Sequence, residues 1–98
     1  MSLKDQYNFE FLTNEAERLV LDELKRRFDE DKEEKICKCE DCVLDMAAYA
    51  LNHVRPAYRA SLLGTLYAHA LEGSEYQADV KKAVDQAIEI VSKNPSHE

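Results

Sequence analysis

From Tyr76 to Val91 the apolar residues recur at helical intervals: Tyr76, Val80, Ala83, Val84, Ala87, Ile88 and Val91. Offsets of 4, 7, 8, 11, 12 and 15 place all seven on one face of a helix with 3.6 residues per turn. So long a stripe has to be covered by other elements. Ser74 and Gln77 form a capping-box pair at its start, and Asn94-Pro95 closes it. A second stripe, Ala16, Leu19, Val20, Leu24 and Phe28, follows Asn14, with Glu17 three residues on in the same capping arrangement. Lys25, Arg26 and Arg27 fall in its last turn, where cations suit the helix dipole. A third runs through Val43, Met46, Ala47, Ala50, Leu51 and Val54, and Pro56 predicts its end near His53–Arg55. Two glycines and two prolines in 98 residues leave little room for hairpins or a phosphate-cradling loop. The expected fold class is therefore all-α, a mainly helical single domain of about four helices.

The division is an N-terminal arm over residues 1–13, a helical core over 14–93 and a tail over 94–98. Tyr7, Phe9, Phe11 and Leu12 read as an arm that docks by packing, within the chain or across a dimer. Residues 57–71 are apolar without a clean period and fit a helix, an irregular segment or a short strand. The run from Asp29 to Lys35 breaks the pattern and reads as a solvated loop, or else as an acidic docking surface. Glu23 has nothing to suggest more than exposure. A domain this small buries only about 60–65% of its unfolded surface, so a metal or a partner chain would add needed stability.

Thirteen basic against twenty acidic residues give a net charge of −7, which excludes a binder of DNA or RNA polymers by phosphate neutralisation. Residues 1–52 carry fourteen acids and eight bases, a net of −6, and residues 53–98 six and five, a net of −1. No apolar run approaches the ~20 residues of a membrane span, and no signal peptide is evident, so a cytoplasmic protein is expected.

All three cysteines fall within six residues, as Cys37-x-Cys39-x-x-Cys42. Adjacent loop cysteines cannot staple distant parts of a fold, so a disulfide framework is not expected. Three thiolates from a loop and a first helical turn suit a soft metal such as zinc, which takes four tetrahedral ligands. The alternative is three reduced thiols on a mobile acidic loop. One ligand is missing. His53, His69 and His97 are the candidates, with Asp41 poorly placed between two thiolates. His53 lies about 16 Å beyond Cys42 along one helix, too far to reach. Water or a partner chain's group could also fill the position. No H-E-x-x-H pairing, nucleophile motif or acid–base pair supports an enzyme.

From Met46 to Leu71 the only formal charges are Arg55 and Arg59, bracketing Pro56 and Tyr58. With Asn52 nearby, they compose a set suited to phosphates and stacked bases. The competing reading has the arginines capping helix carbonyls or contacting the acidic first half of the chain.

The string Cys37-x-Cys39-x-x-Cys42, followed by Ala50-Leu51-Asn52-x-Val54-x-Pro56-x-Tyr58, resembles the late competence development protein ComFB family over about residues 15–96. The resemblance implies a bacterial, mainly helical homodimer in which Cys37, Cys39 and Cys42 bind Zn²⁺. Some relatives carry a fourth cysteine after the last helix; here Pro95-Ser96 precedes His97, which makes His97 the expected fourth ligand. Some members are receptors for c-di-GMP or c-di-AMP, which implies a non-catalytic signalling domain with Arg55, Arg59, Tyr58 and Asn52 at the ligand. The alternative is an adaptor of the competence or motility machinery, with a protein partner and no nucleotide.

Overall fold

The computed structural model describes residues 1–60 and 75–94. Among them are four helices and two short strands: α1 (Leu3–Gln6), β1 (Thr13–Asn14), α2 (Glu15–Glu30), α3 (Glu40–Leu51), β2 (Tyr58–Arg59) and α4 (Glu75–Lys93). The mainly helical class expected from the periodicity is what the chain adopts.

The three long helices share one core. Every residue of the Tyr76–Val91 stripe is buried on α4, which packs on α3 and α2. From α2 come Ala16, Leu19, Val20 and Leu24; from α3, Cys42, Met46 and Ala50. Leu24, Met46, Val20, Val80 and Val84 are the largest almost wholly buried side chains among the described residues. Truncating one of the large ones to alanine leaves a cavity as well as losing transfer energy, about 2–5 kcal/mol in total.

Helix ends follow from side chains. Asn14 caps α2, but its Oδ1 accepts the N–H of Ala16 at 3.1 Å, not that of Glu17, so the expected capping box does not form. The same oxygen takes the Ala57 N–H at 2.7 Å, while Glu15 N–H donates to Ala57 O at 2.8 Å. These bonds clamp the chain after Pro56 onto the start of α2, and the two strands pair antiparallel beside them, Thr13 with Arg59 and Asn14 with Tyr58. Of the three readings open for residues 57–71, the strand holds for Tyr58–Arg59; residues 61–74 lie outside the described residues, Ser74 among them.

Helix α3 stops at Leu51, earlier than Pro56 predicts. Asn52 folds back, its Nδ2 donating to Ala48 O at 2.9 Å, and His53 Nδ1 donates to Tyr49 O at 2.7 Å. Two last-turn carbonyls thereby acquire side-chain partners, which ends the helix before the proline is reached.

Of the two dockings expected for the arm, within the chain or across a dimer, a single chain bears only on the first, and of its four apolar residues Phe9 alone is half-buried. Leu3, Tyr7, Phe11 and Leu12 are all exposed, and no residue of α1 is buried. Glu23, expected to be exposed, is 4% exposed and forked by Arg26, with Nε at 3.1 Å from Oε1 and Nη2 at 2.6 Å from Oε2. It occupies the flank of the apolar stripe, where only a paired carboxylate is tolerated.

Candidate metal centre

Asp29 and Glu30 still belong to α2, and Lys32 to Lys35 are exposed, the solvated loop expected of this run, held as a turn by Asp31. Asp31 ends α2, donating its N–H to Phe28 O, and the chain turns back through Glu34, whose φ of 53° lies in the left-handed region. The Asp31 carboxylate fastens the turn: Lys35 N–H reaches Oδ1 at 3.0 Å, Ile36 N–H reaches Oδ2 at 2.9 Å, and Lys38 Nζ meets Oδ2 at 2.8 Å. Those bonds to the ionised form hold its pKa down at about 2. Ile36 then packs against the helical core and leads directly into the cysteines.

Cys39 is the N-cap of α3, with its Sγ accepting the Cys42 N–H at 3.4 Å. Cys42 lies one turn on, wholly buried, and Cys37 is half-buried beside them. None of the three is in a disulfide, and their sulfurs lie within 4.8 Å of one another. Zinc–sulfur bonds of about 2.3 Å give a tetrahedron edge of about 3.8 Å, so modest side-chain rotation brings the set onto a metal. The donor chemistry fits as well. The Cys39 backbone N–H holds the Cys37 thiol below the usual cysteine range, helped by the neighbouring thiols and Lys38, and opposed by burial. A depressed thiol pKa favours the thiolate that a metal binds.

The fourth position has no candidate among the described residues. His53 is stacked on Tyr49 with ring centroids 4.1 Å apart and is bonded to that residue's carbonyl. Asp41 is exposed on the first turn of α3. His69 and His97 lie outside the described residues.

The sequence-selected polar residues do not form one cluster. Arg59, read as one of two unneutralised cations, is neutralised: its Nε donates to Glu15, whose other oxygen takes Arg18 Nε at 2.9 Å. This is the competing reading, a contact with the acidic first half. Both arginines hold the 7%-exposed Glu15 below the usual carboxylate range, Arg18 most strongly and then Arg59, against the cost of burial. Arg55 is exposed and stands over the Tyr76 ring, 5.5 Å from its centroid, while Tyr76 Oη donates to Arg55 O. It lines a cleft of about 370 Å³ with His53, Asp79 and Lys82. Asn52 and Tyr58 line a different cleft of about 700 Å³, with Leu12, Thr13 and Pro56. Thr13 Oγ1 is buried there with no hydrogen-bond partner among the described residues.

Sequence reasoning missed Asp31 and Glu15. The run around Asp31 contains no glycine, asparagine or proline to mark a turn, and acids flank it on both sides. Glu15 had a usable signal, since it immediately precedes Ala16 and stands four residues before Leu19 on the edge of the buried stripe.

Residues 13–95 match the model of the family described as late competence development protein ComFB. A solved structure of the late competence protein ComFB from Bacillus subtilis is similar in fold, with a TM-score of 0.70 and 24% identity, over 87% of this chain and 92% of that one. No curated protein matches the sequence. No helix among the described residues is long and apolar enough to cross a membrane.

Proposed function

Starting from the fact that the chain belongs to the late competence development protein ComFB family, we propose a non-catalytic regulatory domain fastened by one zinc ion on Cys37, Cys39 and Cys42. The observation that carries this reading is the convergence of three sulfurs within 4.8 Å at the N-terminus of α3. Bound zinc would supply a crosslink between the loop after α2 and the first turn of α3. In a chain with so small a core, that crosslink is folding energy. His97 is the proposed fourth ligand, and a homodimer the working form.

The ligand reading is a cyclic dinucleotide, c-di-GMP or c-di-AMP, bound where Asn52 and Tyr58 border the larger cleft. In its favour are the exposed Tyr58 ring and a volume within the usual range for small-molecule sites. Arg55 meets the ligand from the adjoining cleft, and a two-fold ligand matches a two-fold dimer. In this arrangement Arg59 acts through Glu15, holding β2 in place.

Isothermal titration with c-di-GMP and then c-di-AMP, with metal quantified on the same sample, tests both parts. Micromolar or tighter binding at one ligand per dimer supports the receptor. No heat from either ligand on a zinc-replete sample removes it and leaves a zinc-fastened adaptor. One observation favours that second reading: Tyr7, Phe11 and Leu12 stand 64%, 69% and 46% exposed, an apolar arm offered to another chain. Loss of a captured partner on substituting Tyr7 and Phe11 with serine would support it.

A further inference from the structure

Among the described residues the Asp31 carboxylate makes three bonds, two to the residues just before the cysteine cluster and one to a residue within it. Two are the backbone N–H groups of Lys35 and Ile36, and the third is the ammonium of Lys38, which lies between Cys37 and Cys39. The carboxyl side chain is only 9% exposed, so it is built into the turn. Its own main chain is fixed at both ends, by Phe28 O behind and by Glu34 N–H ahead. Cys37 comes one residue after the second of these N–H groups. Cys39 is fixed from the other side as the cap of α3.

We infer that Asp31 is the positioning residue of the metal centre: it orders the turn so that Cys37 meets the sulfurs of Cys39 and Cys42 before any metal arrives. The inference rests on the zinc reading of the preceding section and adds a residue outside the ligand motif. Without Asp31, residues 32–38 would have to be ordered by the metal itself, and that entropy would be subtracted from its affinity. Outer partners that orient metal ligands typically contribute 10- to 100-fold in affinity. Lys38 gains a second role, since the bond to Asp31 holds its ammonium next to the thiolates, where it offsets part of their charge.

The test is zinc affinity by chelator competition in the full chain, for wild type, Asp31→Ala and Asp31→Asn. Cobalt spectra of each protein accompany it, since thiolate–cobalt bands report how many sulfurs bind and in what geometry. Circular dichroism shows which variants keep their helices. Asp31→Ala is expected to weaken zinc by 10-fold or more and to alter the cobalt bands. Asp31→Asn, which keeps one acceptor oxygen and loses the charge, is expected to fall between and decides the matter if the alanine variant does not fold. Unchanged zinc affinity and cobalt spectrum in a folded variant, with only a lower Tm that chelator does not affect, would mean that Asp31 merely terminates α2, and the inference fails alone. A wild-type chain that takes up neither metal overturns the zinc reading and the inference with it.

Discussion

Arg59 donates to Glu15 across 44 positions of sequence, joining β2 to the first turn of α2. The pair is where an arginine that looked available for a ligand turns out to hold the fold. Glu15 is nearly out of water, and removing one of its two arginines leaves a buried carboxylate half satisfied. Arg59→Ala is therefore expected to destabilise the chain by about 1–3 kcal/mol. Arg55→Ala, at an exposed side chain stacked on one ring, should cost no more than about 1 kcal/mol. Urea unfolding of the two variants separates them, and equal midpoints would contradict the assignment.

The difference between Arg55 and Arg59 marks the limit of what was legible. Helical stripes are a one-dimensional signal, and the burial of all seven residues from Tyr76 to Val91 follows from spacing alone. The cysteines were legible for the same reason, being close in sequence and hence in space. Glu15–Arg59 and Asn14–Ala57 are contacts between distant segments, and nothing local distinguishes Arg59 from Arg55. The end of α3 was misplaced because Asn52 and His53 cap it with their own side chains, a competition that the nearby proline obscured. The arm's apolar residues imply a covering surface without saying whether this chain or another supplies it.

Acid should act on the chain through the paired carboxylates. The Arg26 fork holds Glu23 below its ordinary value, against the cost of burial. A depressed carboxylate contributes stability that is present above its unfolded pKa and is lost as pH falls through the folded one. Relative to Glu23→Gln, wild type should thus be more stable at pH 7. The advantage should shrink only below about pH 4.5, where the unfolded carboxyl begins to bind protons. Unfolding midpoints of the two proteins against pH check this, and any metal contribution cancels in the difference. A gap that stays constant down to pH 2 would show that Glu23 is not held ionised by Arg26.

The three cysteines are chemically alike and structurally unequal. Cys42 is wholly buried among Met46, Ala50 and the α4 face, whereas Cys37 and Cys39 only pack against that core. With zinc bound, serine at Cys37, Cys39 or Cys42 should release the metal and lower Tm sharply. With chelator present, only Cys42→Ser should still cost about 1–3 kcal/mol, because a hydroxyl then replaces a sulfur in an apolar site. Cys37→Ser in chelator should stay within about 0.5 kcal/mol of wild type. Equal losses for both variants without metal would place Cys37 in the core as well.

The exposed arm makes the last prediction. Tyr7, Phe11 and Leu12 extend ahead of β1, and Leu12 also borders the cleft shared by Asn52 and Tyr58. If a second copy of the chain covers the arm, substituting Tyr7 and Phe11 with serine should convert a particle of twice the chain mass to one of the chain mass. The helical circular dichroism should not change, because neither side chain belongs to the core. Burying two aromatic rings of this size at an interface contributes several kcal/mol, enough to shift a micromolar dimer to monomer. Light scattering at several protein concentrations makes the measurement. A mass unaffected by the substitutions would place the dimer contact elsewhere, and a wild-type monomer would assign the arm to a different partner.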